Sequence, residues 1–209
     1  IGGALTLAEA ATVTLSTGAG TAGNILLSGA ADGTGGGVAE TLTLQAGTGS
    51  ATFGGALGTG DALKLNAVTL TNAAATGFNN TVNLAGALTQ TNAATGATTF
   101  GNTVNVGSAD LKGTTFALNN SFASGGTTAV TNSGLLTKNA TGAVTSTGAF
   151  STTGAASLAA NVTTTDADLT IGGALTLAEA ATVTLSTGAG TAGNILLSGA
   201  ADGTGGGVA

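Results

Sequence analysis

Large apolar residues in this chain come in pairs two positions apart, most often with Thr or Asn between them. The pairs are Leu5/Leu7, Val13/Leu15, Leu42/Leu44, Leu63/Leu65, Val68/Leu70, Val82/Leu84, Val104/Val106, Phe116/Leu118, Leu169/Ile171, Leu175/Leu177 and Val183/Leu185. Alternation with a period of two turns one side chain inward and the next outward, as in a half-buried strand about four to six residues long. Between the pairs lie clusters such as TGAGTAGN, ADGTGGG, GTGD, NAATG and ASGGTT, which supply the tight bends that join strands. Helix signals are nearly absent, and the LAEAA stretch is too short to nucleate one. The pattern predicts an all-β chain of many short strands.

A longer period links these strands. ATGFNNTVNLAGAL (75–88) and ATTFGNTVNVGSADL (97–111) align on Phe78 and Phe100, and one further step of the same length reaches Phe122. Phe78, Phe100 and Phe122 are therefore expected to form one structural stack. Looser matches at slightly different steps extend the series back to Phe53 and forward to Phe150 and Ile171. Strand-type content that recurs about every 20–28 residues means one solenoid coil per unit. The fold expected is an all-β parallel β-helix, or β-solenoid.

A third period is without substitution: residues 1–39 recur as residues 171–209, an offset of 170. Residues 1–170 are expected to be one complete tandem unit of seven or eight coils. Residues 171–209 then begin the next identical unit of one continuous solenoid, with no separate globular domain. The first residue is not Met and the second copy stops mid-phrase, so the chain is expected to be a window on a longer array. Leu175/Leu177 and Val183/Leu185 are expected to repeat, one unit along the rod, the packing of Leu5/Leu7 and Val13/Leu15.

Composition explains why such a chain would coil. Only 24 Leu, 11 Val, 6 Phe and 4 Ile stand among 209 residues, and charged residues make up just 6% with a net charge of −6. Large side chains are near the level at which disorder becomes the default, yet the self-repulsion that keeps disordered chains expanded is missing. A lone coil, with four or five large side chains to bury, would not offset the entropy lost on ordering it. In a parallel stack, main-chain groups pair with the coils above and below, and similar side chains form ladders. The absence of Pro fits, because a residue without an N–H would break such a ladder. Coils rising by the strand spacing predict a narrow rod of about 34–38 Å per unit.

The missing residue types exclude classes of function. Without His, Cys or Arg there is no imidazole base, no thiolate, no zinc cluster and no guanidinium clamp for phosphate. No catalytic, cofactor-binding or metal-ligating residues are therefore assigned, no cofactor is implied, and the chain is not expected to be an enzyme. Lys64, Lys112 and Lys138 in an acidic chain leave no electrostatic footprint for nucleic acid. No run of about 20 apolar residues is present to span a membrane as a helix.

Four candidate features remain, each with a bland explanation beside it. Asp61 in GALGTGDALKL approaches a calcium-binding β-roll phrase, but Thr59 stands where a Gly belongs and the phrase is not iterated; ADGTGGG at 31–37 fits no better. Asp166 and Asp168 alternate onto one face and form a carboxylate pair, equally expected of a solvated strand. The pairs Thr12/Thr14, Thr41/Thr43, Thr69/Thr71 and Thr163/Thr165 resemble the flat threonine arrays of ice-binding solenoids, although they do not recur on every coil and β-propensity explains them. Sequons at Asn79, Asn119, Asn139 and Asn161 are expected by chance in an Asn/Thr-rich chain.

TGATTFGNTVNVGSADL, STGAFSTTGAASLAANVTT and DADLTIGGALTL are similar to phrases of very large bacterial surface proteins built of β-strand repeats, the filamentous-haemagglutinin and autotransporter-like adhesin group. The resemblance implies a right-handed coil, secretion, and an extracellular or cell-surface location. The function expected is a structural filament of tandem repeats, whose partner is itself through stacked repeats and lateral bundling of rods. The alternative is an adhesin stalk or ligand-binding rod that engages a carbohydrate, a surface or ice through an outward Thr/Asn face. A polysaccharide-cleaving solenoid is the weakest reading, because it needs basic and acidic groups gathered in a groove.

Overall fold

The structure, a computed structural model, describes residues 1–20, 23–34, 39–91, 96–179, 181–190 and 193–204. Parts of the TGAGTAGN, ADGTGGG and NAATG turns therefore lie outside the described residues. The chain is an all-β parallel β-solenoid of about eight turns, each laying one short segment on each of three sheets. Helix is confined, among the described residues, to a single 3-10 turn at Asp61–Leu63.

The first sheet stacks nine strands, beginning Thr12–Ser16, Thr41–Gln45, Ala67–Asn72 and Ala87–Gln90 and ending at Ile195–Leu197. The second stacks nine, from Ile25–Leu27 to Ala201–Gly203. The third starts with Leu5–Thr6 on Ala31–Asp32, continues through single bridges at Leu57, and then stacks six strands from Val82–Asn83 to Leu185–Ser186. Neighbours run parallel, as when Thr43 lies in register between Thr14 and Thr69.

Alternation sets the inward faces. In Thr41–Gln45, Leu42 and Leu44 are buried while Thr41, Thr43 and Gln45 are half-buried on the outside. Three inward rows meet along the axis to make one narrow core. On the second sheet, Leu27, Phe53, Phe78, Phe100, Leu118, Lys138, Leu158 and Leu177 follow one another in register. The rings of Phe53 and Phe78 are 4.7 Å apart and those of Phe78 and Phe100 4.8 Å, both with planes 4° apart. That distance is the strand spacing, so each ring rests on the one a coil below.

The ladder departs from the expected stack at Phe122. Leu118 arrives sooner after Phe100 than Phe100 does after Phe78 and occupies the next position, which carries Phe122 round to the third sheet between Val104 and Val144. Its ring meets that of Phe100 edge-on, at 5.6 Å and 82°. The stack is Phe53–Phe78–Phe100, with Phe122 beside it. Stacking fixes strand register but not turn length. The long step from Thr14 to Thr43 and the short one from Phe100 to Leu118 both span one coil, so an even phase cannot persist. Phe150 likewise lies on the first sheet, between Thr128 and Leu169.

Leu63/Leu65 is a further departure, because no strand forms there. Gly58 takes a positive φ of 65°, the 3-10 turn follows, and the Leu63 N–H donates to the Gly60 carbonyl at 2.9 Å. Leu63 is exposed, while Leu65 re-enters the core and bridges to Leu84.

The two identical copies also differ from the expectation. Their internal pairings agree: Leu5 pairs with Ala31 and Thr6 with Asp32, just as Leu175 pairs with Ala201 and Thr176 with Asp202. Their sheets do not. Leu5–Thr6 lies on the third sheet and Leu175–Leu177 on the second; Val13 and Leu15 lie on the first and Leu185 on the third. The second copy therefore repeats the packing of the first on a different face of the rod.

Candidate functional site

The outward rows are the natural place for recognition, because every coil displays side chains there at the strand spacing. On the first sheet Thr14, Thr43, Thr69 and Thr89 stand in register on four consecutive coils. Thr12 and Thr41 pair beside them at one end. On the other side the Thr91 hydroxyl donates to the Thr71 carbonyl at 3.2 Å. Three of the four Thr-x-Thr pairs found in the sequence thus come together on one face, whereas Thr163 lies on the third sheet. Thr89 and Thr91 were missed by sequence reasoning. The column was hidden because each step, from Thr14 to Thr43, then Thr69, then Thr89, is shorter than the one before, so no fixed period finds it. Beyond Thr89 the row continues as Asp110, Ala129, Ser151, Thr170 and Leu196, and the threonine character is lost.

A shallow groove of about 260 Å³ lies along the third sheet, lined by Thr59, Asp61, Thr81, Asn83, Thr103 and Asn105 with Gly58 and Val82. The Asn105 amide donates to the Asn83 side-chain oxygen at 3.3 Å, forming a short asparagine ladder. Asp32 braces the rim by accepting from the Thr59 N–H at 2.7 Å and the Thr59 hydroxyl at 3.0 Å. Asp61 is exposed and shares one carboxylate oxygen with a neighbouring cation. The Lys64 ammonium, 2.9 Å away, holds it below the usual carboxylate range by hydrogen bond and charge. Hydrogen-bond donors and acceptors line the groove, and none of the described lining residues is aromatic.

Asp166 and Asp168 are not neighbours on a strand. Both sit exposed in the turn between Val162–Thr164 and Leu169–Ile171, and Asp166 has a left-handed backbone with φ of 51°. Asp168 accepts from the main-chain N–H and the side-chain amide of Asn194, at 2.8 and 3.2 Å, tying its turn to the next coil. Among the described residues no group of three or more His, Cys, Asp or Glu side chains gathers to hold a metal ion. The sequon residues Asn119 and Asn139 also serve stacking, joined by a 2.7 Å hydrogen bond between their side chains.

Several polar side chains face inward. The Thr98 hydroxyl donates to the Gln90 side-chain oxygen at 3.0 Å within one coil, and the Thr152 hydroxyl to Asn132 of the neighbouring coil at 2.6 Å, so inward polar groups satisfy each other inside the core. Lys138 is buried, its ammonium donating to the Asn139 and Thr141 carbonyls at 2.7 and 2.8 Å, and burial pushes its pKa down. Glu40 is buried with one carboxylate oxygen accepting from the Thr34 N–H at 3.3 Å and the other without a hydrogen-bond partner. These groups are enclosed by the stack and line neither surface feature. No helix of the described residues is long and apolar enough to cross a membrane. No protein-family description, curated protein or solved structure matches the chain.

Proposed function

We propose that the chain is part of a structural extracellular filament, a rod of tandem β-solenoid repeats on a bacterial cell surface with no enzymatic activity. The observation that carries this reading is the pair of identical copies on one axis, each with the same internal strand pairing. A protein whose sequence recurs along a stack performs its task many times over, which suits a load-bearing or spacing element better than a single active centre. Its partner is itself, through the stacking of repeats and the lateral bundling of rods. With three Lys and no Arg, the chain also offers trypsin-like proteases few sites, as an extracellular element requires. The composition and coil phrases similar to the filamentous-haemagglutinin and autotransporter-adhesin group support the same location. Antibodies against the chain, applied to intact producing cells for electron microscopy, should label filaments outside the envelope. Labelling seen only after permeabilisation would overturn the reading.

A second reading, a ligand-binding rod or adhesin stalk, is favoured by one observation, the unbroken column Thr14–Thr43–Thr69–Thr89. If that column binds a carbohydrate, a surface or ice, Thr43→Val together with Thr69→Val should abolish binding without altering the far-ultraviolet circular dichroism. Undiminished binding by this variant would remove the column from consideration.

A further inference from the structure

The two copies make identical internal pairings and yet occupy different sheets, and the repeat length explains why. From Leu5 to Leu175, counting Leu57 as the third-sheet member of its coil, the chain advances through 23 sheet positions, three to a turn. Twenty-three is not a multiple of three. The 170-residue repeat is thus seven and two-thirds turns long, and it returns to its starting sequence one face short of its starting direction. Leu26 and Leu196 illustrate the outcome. Both are the central residue of the same Ile-Leu-Leu strand, and both are exposed outward, at 50% and 54%. Leu26 begins a row on the second sheet that ends, eight coils on, at Asp202. Leu196 ends the row on the first sheet that begins, eight coils earlier, at Thr14.

We infer that the repeat carries a built-in rotation, so that consecutive copies present any outward feature on three sides of the rod in turn. This rests on the reading of the protein as a tandem rod and adds to it the geometry of display. The threonine column of one copy faces out from the first sheet. The same words in the next copy begin on the third, where Leu185 pairs with Val162. Only every third copy restores the original direction. An array of this repeat therefore has no continuous stripe of identical chemistry running its whole length. A partner that binds one repeat at a time is offered sites all round the rod, and a second rod can approach from three directions and meet equivalent surfaces. A flat partner that must touch every repeat through one face is excluded.

The 209-residue chain contains both copies, and it has no Cys, so single pairs of introduced cysteines can carry spin labels cleanly. Thr14, Leu26, Leu196 and Asp202 are all exposed positions. Dipolar distances for T14C/L196C and L26C/D202C should each be about 38 Å, eight strand spacings along one face. The distance for L26C/L196C should be longer, because its labels lie on different faces. If L26C/L196C instead gives the shortest distance and the other two are longer, the copies face the same way; the rotation is then wrong and the rod stands. If all three pairs give broad distributions with no preferred distance, the stacked rod fails and the rotation with it.

Discussion

Phe78 and Phe100 stack face to face inside the rod, their ring centres 4.8 Å apart and their planes 4° apart. The two residues are paired main chain to main chain on adjacent coils, so the aromatic contact and the parallel ladder reinforce each other. Removing a buried ring leaves a void in a core too thin to collapse around it. Phe78→Ala should therefore cost about 3–5 kcal/mol in denaturant unfolding. In a double-mutant cycle with Phe100→Ala, the double variant should lose about 0.5–1.5 kcal/mol less than the sum of the two single losses, because the stacking contact is removed by either one. A Phe78→Ala variant within experimental error of the parent would show that the ladder is not where the stability resides.

Lys138 interrupts that ladder between Leu118 and Leu158. Its pKa is lowered by burial, so in the alkaline range the unfolded chain binds more protons than the folded one. Stability should rise with pH through the window between the lowered value and the ordinary lysine value of about 10.4. The chain has no Tyr, Cys or His to add to this slope. Lys138→Met should raise the unfolding midpoint at neutral pH and flatten its rise on the alkaline side, below the ordinary lysine value. An unchanged slope would mean that the lysine loses nothing by being buried.

Gly142 and Gly125 separate two roles of glycine. Gly142 has φ of 71°, and an added Cβ would lie 2.7 Å from the Ser121 main-chain nitrogen. Gly125 has no such backbone, and its nearest neighbour would be 3.6 Å away. Gly142→Ala should cost about 2 kcal/mol or more, whereas Gly125→Ala should lie within about 1 kcal/mol of the parent. Thermal melts of the two variants compare them directly, and equal melting temperatures would contradict the turn geometry.

These variants also show how far the sequence could be read. Pairs such as Leu42/Leu44 and Val104/Val106 declare their strands because both inward positions are large and apolar. Strands with one large apolar inward residue gave no apolar pair to mark them. In Ala97–Phe100 the second inward position is Thr98, in Thr128–Asn132 it is Thr128 and Asn132, and in Leu135–Lys138 it is Lys138. Apolar pattern cannot register an inward Thr, Asn or Lys, whose hydrogen bonds are completed inside the stack, by the same coil for Thr98 and Lys138 and by the next coil for Asn132. The coil period was legible on average and misleading locally, since the short step from Phe100 to Leu118 displaced Phe122. The threonine column was half legible: its members were seen as pairs, but unequal turns concealed their alignment. The rotation between copies was not legible at all, because it depends on counting strands that the pattern does not reveal.

A solenoid of this kind can grow only by stacking coils along one axis. A chain extended from residue 209 by further copies of the repeat, imaged beside the 209-residue protein by electron cryo-microscopy, tests that requirement most directly. Each added copy should lengthen a rod of constant width by about 37 Å, seven and two-thirds strand spacings. Particles that widen in all directions as copies are added, or that grow as separate beads, would contradict it.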